Sequence, residues 1–317
     1  MTQRPLRGAR RALAVLVAFW GLAAPAVAVP DMNKVIREVF PVAETGFDPA
    51  AVHDLYSGTV VQGIFETLYT YDYLARPSKV VPLAAEAMPQ VGDQGRTWTI
   101  RIRKGIRFAD DPVFGGKPRE LTAEDFVYSI KRLMDPRIRS PWAFLVEGKL
   151  VGLDEVAAQA KNAGRFDYDR KVPGIEAVDR YTIRFRLNAT DYNLPYILAH
   201  EPTSAVAREV IEKYAESDGR AQANPVGTGP YRLVKWVRSS KIFLEANPNY
   251  RGFTWDFAPA DAADAALVRE MKGKRMPQIG RVEISIIEED QARLLAFQSD
   301  EIDLMNMEGP LAPKVLD

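Results

Sequence analysis

Side chains that commonly carry out chemistry are scarce in this sequence. It contains no cysteine and two histidines, His53 and His200. Without cysteine there is no disulfide, no thiolate metal site and no cysteine nucleophile, and neither histidine belongs to an HExxH zinc motif. Ser57, Ser129 and Ser204 do not stand in a GxSxG motif, which would present a nucleophilic serine on a sharp turn. The sequence therefore gives no positive signal for catalysis, for a metal ion or for a cofactor.

Two glycine motifs, at residues 115–117 and 227–229, could be phosphate-binding loops, because glycine lets backbone N–H groups approach an anion. Neither motif has the GxxxxGK(S/T) spacing. Proline follows each motif within two residues and removes an N–H donor where a phosphate group would need one. We interpret both motifs as turns.

The acidic run Glu288-Glu289-Asp290 could bind a metal ion or act as an acid and base pair. It directly precedes a helical pattern of apolar residues. Acidic side chains are favourable at a helix N-terminus because they interact with the helix dipole. We interpret the run as the start of a helix.

Aromatic residues near predicted loops indicate a binding function more than a catalytic one. Tyrosine and tryptophan combine a large contact area with a polar group, as residues that line ligand sites often do. Packing in the core is the ordinary alternative for each of them. The residues concerned are Phe65, Tyr69, Tyr71, Tyr73, Trp142 and Phe144.

The hydrophobic pattern predicts a mixed α/β chain without internal repeats. Apolar residues at helical spacing after a threonine cap predict a helix at residues 121–134, which Asp135-Pro136 ends. Residues 195–214 are predicted to be mostly helical, residues 224–230 a turn, and residues 256–266 a polar surface insertion. Alternating apolar and polar residues predict strands at 97–103, 181–187, 231–236, 241–245 and 281–287.

The composition is that of a globular protein, with 47% hydrophobic and 26% charged residues. At about 100–200 residues per domain, a chain of 317 residues suggests two domains or parts of several. The first 28 residues hold four arginines and no acid, which leaves 38 basic against 42 acidic residues in the remainder. Such a balance provides no general basic field for a phosphate backbone, so we exclude nucleic acid as a partner.

The N-terminus has the three regions of a cleavable signal peptide. Residues 4–11 carry four arginines, residues 12–24 are apolar apart from Gly21, and residues 26–28 (Ala-Val-Ala) supply the small residues of a cleavage site. A membrane anchor at residues 12–29 is the alternative, but Gly21 and Pro25 weaken a helix there. We expect residues 1–28 to be a signal peptide and Val29 to be the mature N-terminus. The protein would then be periplasmic, and without a cysteine it would have no lipid anchor.

Seven segments of the chain form a set: Phe47-Asp48-Pro49, then residues 64–68, 83–88, 98–108, 121–129, 224–231 and 300–305. Together, and in this order, they resemble the extracytoplasmic solute-binding proteins of peptide-type ABC importers, the dipeptide and oligopeptide binders of solute-binding protein family 5. The resemblance extends from about residue 35 to residue 305. The predicted export signal agrees with it independently.

The resemblance implies an α/β, periplasmic-binding-protein-like fold of two lobes joined by a hinge, with an extra domain on the first lobe and the ligand between the lobes. Residues 29–65 and 208–287 would form lobe one, residues 66–207 the additional domain, and residues 288–317 the start of lobe two. Relatives continue well beyond this length, so most of lobe two would be missing from the chain. We expect a chain without that wall of the cleft to lack high affinity and to self-associate.

The resemblance also places two ligand-lining regions. The loop after residue 49 lines the cleft in oligopeptide binders, which assigns His53, Asp54 and Leu55 to the site. Relatives carry an acid where this chain has His53, so the ligand contact differs there. Trp142 follows a Ser-Pro pair at the position of a pocket tyrosine. The alternatives are a solvated loop residue for His53 and a packing residue for Trp142.

From the resemblance we expect a periplasmic substrate-binding component that captures peptides or similar small solutes and delivers them to an ABC permease with its ATPase subunits. We expect no cofactor and no enzymatic activity. In the family, the acid that binds a peptide's free amine belongs to lobe two and is not among these residues to be checked. Because relatives of this family also bind metals, sugars or other small solutes, the resemblance does not imply peptide specificity. An exported peptide or cell-wall hydrolase and a non-transport solute sensor are the alternatives.

Overall fold

The computed structural model describes residues 30–306 of the chain, so the predicted signal peptide lies outside the described part. Within this part the helices are α1 (Leu55–Ile64), α2 (Ala123–Arg132), α3 (Leu153–Ala163), α4 (Leu194–Ile197), α5 (Arg208–Tyr214), α6 (Ala265–Met271) and α7 (Asp290–Gln298). The strands are β1 (Asp31–Phe40), β2 (Tyr69–Tyr71), β3 (Val80–Pro82), β4 (Gln90–Gly92), β5 (Thr97–Arg101), β6 (Ile175–Asp179), β7 (Thr182–Arg186), β8 (Tyr231–Val237), β9 (Lys241–Ala246), β10 (Phe253–Thr254), β11 (Arg275–Met276) and β12 (Ile279–Ile286).

The first sheet has the strand order β1-β12-β9-β8. β1 and β12 are parallel, and the other pairs are antiparallel. Alternate residues of a strand share one face, so Ile242 and Leu244 of β9 are buried together with Ile284 of β12. Val61 and Ile64 of α1 belong to the same hydrophobic core. The sheet therefore holds α1, and with it the loop that precedes α1, in a defined position.

The second sheet is antiparallel, with the strand order β4-β5-β7-β6. Trp98 lies opposite Phe185 and Ile100 lies opposite Ile183, and all four side chains are buried. Phe126 of α2 joins the same core. Cross-strand apolar pairs of this kind stabilise a sheet. The two predicted strands at 97–103 and 181–187 are confirmed, each ending one or two residues earlier than expected.

Helix α2 begins where the sequence predicts, because Thr122 and Asp125 bond to each other. The Asp125 carboxylate accepts hydrogen bonds from the Thr122 backbone N–H at 2.7 Å and from the Thr122 hydroxyl group at 3.0 Å. Such bonds satisfy polar groups at the helix start. The helix ends at Arg132, two residues before the predicted end, because the next residues form tighter turns ahead of Pro136.

The prediction of a mostly helical region at residues 195–214 is only partly right. α4 and α5 cover its two ends, but the ten residues between them form a single three-residue helical turn and an extended segment. Pro202 interrupts any longer helix. The extended segment is buried, and its Ala205 and Val206 N–H groups donate to the Glu66 carbonyl group and the Ser129 hydroxyl group. Tertiary partners therefore replace helical hydrogen bonds here.

The glycine motif at residues 227–229 is a close backbone contact with the end of α1. A Cβ atom on Gly227 would lie 2.0 Å from the Ile64 carbonyl oxygen. That oxygen accepts a hydrogen bond from the Gly229 N–H at 2.8 Å. Since a side chain would prevent this approach and the N–H is already used, the interpretation as a turn rather than a phosphate loop is confirmed. Gly115 and Gly116 likewise lie in a turn, both with positive φ.

The C-terminal part of the described chain contains α6 and α7. The predicted surface insertion, residues 256–266, lies between β10 and β11 and is mostly exposed. The acidic run at 288–290 stands at the start of α7, with Glu289 at the cap and Asp290 as the first helical residue, so the predicted helix start is confirmed. No helix within residues 30–306 is long and apolar enough to cross a membrane. The proposed lobe boundaries remain a proposal.

Candidate ligand-binding site

A buried ion pair holds the loop that precedes α1 against α2. Both guanidinium NH groups of Arg132 donate to the Asp48 carboxylate, at 2.8 and 2.7 Å, and the two side chains are at most 1% exposed. Asp48 also accepts from the N–H groups of Ala50 and Ala221. Burial acts to raise the pKa of Asp48, but Arg132 and these hydrogen bonds outweigh burial and hold the pKa below its ordinary value.

The three loop residues that the sequence assigns to the site have different surroundings. Leu55 is 75% exposed, and His53 is exposed, with its Nδ1 3.3 Å from the Ala51 carbonyl oxygen. Asp54 instead caps α1. One of its carboxylate oxygens accepts from the Ser57 N–H at 2.7 Å, and the other accepts from the Thr45 hydroxyl group at 2.6 Å. His53 and Leu55 are therefore accessible to a ligand, whereas both Asp54 carboxylate oxygens already accept hydrogen bonds from Thr45 and Ser57.

Asp54→Ala is expected to lower the free energy of unfolding by about 0.5–2 kcal/mol at neutral pH, because the cap is lost. Burial acts to raise the pKa of Asp54, but the bonds from Thr45 and Ser57 outweigh burial and lower it. A carboxylate with a lowered folded pKa stabilises the fold above its unfolded pKa of about 4. This stability is lost as pH falls through the folded pKa. Urea unfolding at pH 7 and pH 3 measures the effect.

The control for this prediction is Asp54→Asn, since asparagine caps helices about as well as aspartate. It should retain most of the stability at pH 7. The difference between the wild-type protein and Asp54→Ala should shrink at pH 3. A difference of the same size at both pH values would contradict the charged cap.

Trp142 lies between the loop and the turn after α4. Its indole N–H donates to the Val52 carbonyl oxygen at 2.5 Å, which connects it to the loop of His53. Its ring centroid is 4.5 Å from that of His200 and 6.0 Å from that of Phe144. Trp142 is half-buried and also packs on the larger core. The structure thus brings Trp142 to the predicted loop and leaves part of its ring accessible.

A cavity of about 370 Å³ opens beside this group, and the sequence did not indicate it. Its walls include Gln62 of α1 and Phe65 directly after it, Tyr71 of β2, and His200 and Glu201 of the turn after α4. His200 contacts Trp142, so the cavity adjoins the predicted site. The available signal was the His200-Glu201 pair itself, a histidine next to an acid in a chain with only two histidines.

Glu201 is the acidic residue of the cavity wall, and no lysine or arginine lines it. Oε2 of Glu201 lies 2.7 Å from Nδ1 of His200, although the ring is not oriented to donate a hydrogen bond along this line. Burial acts to raise the pKa of Glu201, but His200, the residue's own N–H and Gln62 outweigh burial and lower it. Glu201 is therefore a carboxylate at neutral pH.

The surface around the cavity is rich in exposed apolar side chains. Tyr71 and Tyr196 face each other with ring centroids 6.3 Å apart, and both are more than two fifths exposed. Phe144 is 60% exposed on the Trp142 side. Exposed apolar groups that are clustered rather than scattered mark ligand or partner surfaces. Among residues 30–306, no group of three or more histidine or acidic side chains is placed to hold a metal ion.

Comparison with known proteins defines the class. The chain belongs to the bacterial extracellular solute-binding proteins, family 5 (Middle), whose family model matches residues 79–316. This confirms the family predicted from the sequence. The mixed α/β architecture of residues 30–306 agrees with the predicted periplasmic-binding-protein-like fold.

Three similar proteins illustrate the match. The periplasmic oligopeptide-binding protein OppA of Salmonella typhimurium is 32% identical over 67% of this chain and 35% of its own length. The "Probable deoxycholate-binding periplasmic protein YgiS" of Escherichia coli is 31% identical over 64% of this chain and 35% of its length. The structure of the Escherichia coli murein tripeptide binding protein MppA aligns with a TM-score of 0.66 at 20% identity, over 91% of this chain and 49% of that one. The chain thus spans about a third to a half of these proteins.

Proposed function

We propose that this chain is part of a periplasmic substrate-binding protein that captures peptides or similar small solutes for an ABC importer. The observation that carries the proposal is the hydrogen bond from Trp142 to Val52, because it joins the aromatic residue to the loop of His53 beside an open cavity. The oligopeptide and murein tripeptide named for two similar proteins support a peptide as the ligand.

The side chains of the site would have separate roles. Trp142 offers an apolar ring face, and His53 and Leu55 are exposed on the loop, where they would contact the solute. Asp54 would hold the loop in position through its two hydrogen bonds and would not bind the solute itself. Closure of a second lobe would exclude water and strengthen each hydrogen bond to the ligand.

Calorimetry on the complete polypeptide that the gene encodes tests this function. We expect micromolar or tighter binding of members of a panel of di-, tri- and longer peptides. Deoxycholate belongs in the panel because one similar protein carries it in its name. If deoxycholate binds and no peptide does, the ligand is an amphipathic solute and not a peptide. Failure of the whole panel would contradict the proposal.

We infer that the protein leaves its ligand chemically unchanged and passes it to a permease with its ATPase subunits. Mass spectrometry of a peptide library after incubation should recover the peptides intact. Cleaved products would favour the alternative function, an exported peptide or cell-wall hydrolase. Loss of peptide uptake on deletion of the gene would separate the transport role from a sensor role.

We propose that residues 1–28 direct export and that Val29 is the mature N-terminus, on the sequence pattern alone. N-terminal sequencing of protein from the periplasmic fraction should begin at Val29. A chain that begins at Thr2 in the membrane fraction would contradict this.

A further inference from the structure

The wall of the cavity beside Trp142 contains an acidic side chain but no lysine or arginine. Glu201 contributes a carboxylate to the wall, with its side chain 21% exposed. In the described part of the chain, no arginine or lysine lies within ion-pairing distance of it, in contrast to buried acids such as Asp48 and Glu66. Among the described residues, its ionisable neighbour within 4 Å is His200, whose Nδ1 lies 2.7 Å from Oε2. A partly desolvated carboxylate that no lysine or arginine neutralises favours a permanently charged cation from elsewhere.

The remaining walls suit an organic cation rather than a metal ion. Phe65 and Tyr71 provide aromatic surface, and Gln62 provides an amide. The face of an aromatic ring attracts ammonium and guanidinium groups, and its surface covers their alkyl stems. A metal ion would require several oxygen or nitrogen ligands around one point. Glu201 and His200 are the acidic and histidine side chains of the wall, and within residues 30–306 no group of three or more such side chains is placed to hold a metal ion.

The cavity also adjoins the proposed binding site through His200. His200 separates Glu201 from Trp142 and contacts both, with a 4.5 Å distance between the His200 and Trp142 ring centroids. A ligand on Trp142 can therefore extend a side group past His200 to Glu201.

We propose that this cavity is a subsite for an alkylammonium or guanidinium group of the ligand, with Glu201 as its counter-ion and Tyr71 against its stem. The inference rests on the proposed solute-binding function and adds a ligand class to it. In a peptide ligand the group is a lysine or arginine side chain. A free polyamine or guanidine compound carries the same chemistry.

Peptides that differ in a single side chain measure the preference of the protein for a cationic group. Calorimetry on the complete polypeptide compares tripeptides in which one alanine is replaced, at each position in turn, by lysine, arginine or norleucine. Norleucine keeps the alkyl stem of lysine without its charge. At one position, lysine and arginine should bind about tenfold or more tightly than norleucine. Equal affinity for lysine and norleucine at all positions would overturn the inference.

Three variants test whether the preference for lysine over norleucine arises at Glu201. Glu201→Gln keeps the shape and removes the charge, so it should abolish the lysine preference and leave norleucine peptides unchanged. Gln62→Lys places a cation on the exposed wall and should abolish the preference even if Glu201→Gln folds poorly. Glu155→Gln removes the same charge from an exposed position on α3, outside the cavity wall, and should change nothing. An undiminished lysine preference in Glu201→Gln or Gln62→Lys would overturn the assignment.

The outcomes separate this inference from the proposed function. Peptide binding without a preference for cationic side chains contradicts the subsite alone. If no peptide binds, the peptide function fails, and alkyldiamines and agmatine then test the subsite directly. Binding of these amines that Glu201→Gln abolishes supports the subsite, and failure of the amines to bind overturns it.

Discussion

Arg132→Met should lower the free energy of unfolding by about 3–5 kcal/mol, because it leaves the Asp48 carboxylate buried without its charge partner. Water cannot compensate, since the Asp48 side chain is fully buried. Its bonds to the Ala50 and Ala221 N–H groups would remain but would not neutralise the charge. The midpoint of urea unfolding should therefore fall well below that of the wild-type protein.

A double-mutant cycle with Asp48→Leu identifies the cause. Removing both charges should recover part of the lost stability, because an unpaired buried charge costs more than an apolar replacement. Recovery should be incomplete, since the two backbone N–H groups that Asp48 accepts from would lose their acceptor. Arg232→Met is the matched control: its ion pair with Glu245 is exposed and should contribute about 0–1 kcal/mol. Equal effects of Arg132→Met and Arg232→Met would contradict the prediction.

The second large effect concerns ligand affinity. Trp142→Ala in the complete polypeptide should weaken binding of the best peptide by about 1–3 kcal/mol, or roughly 5- to 150-fold, as the loss of an aromatic anchor commonly does. The substitution removes the ring that contacts His200 and the N–H that donates to Val52. Calorimetry measures the affinity, and thermal unfolding without ligand measures the stability.

Trp142→Phe separates the two contributions of this residue. It retains an aromatic ring beside His200 but cannot donate to the Val52 carbonyl group. If ring contact with the ligand dominates, Trp142→Phe should bind much more tightly than Trp142→Ala. If the position of the loop dominates, both variants should weaken binding to a similar degree. Unchanged affinity in Trp142→Ala together with reduced stability would return Trp142 to a packing role.

Local features of this protein were predictable from the sequence. Strands β5, β7, β8, β9 and β12 follow from alternating apolar residues, and the start of α2 follows from Thr122 with acids in the next turn. Each signal depends on residues within a few positions of one another, so it is readable without the fold. The family was also recognisable, because seven short segments occur in the family's order.

The sequence signal for a helix cap at Asp54 was missed, because the family resemblance gave this residue another interpretation. Asp54 stands directly before an α-helix and three residues before Ser57, which is the usual position of an N-cap. The resemblance assigned it to the ligand site instead. The structure shows that both carboxylate oxygens bond within the loop. Asp54 therefore holds the loop in position, and contact of His53 and Leu55 with a ligand stays a prediction.

Tertiary structure alone decided which distant residues meet. The partners Asp48 and Arg132 are 84 positions apart, and Trp142 and Val52 are 90 positions apart. The extended segment before α5 is not helical, because its N–H groups bond to Glu66 and Ser129 across the core. The cavity at Glu201 likewise forms only where α1, β2 and the turn after α4 converge. Spacing along the chain records local periodicity, whereas these contacts depend on how the elements pack, and packing is a property of the whole fold.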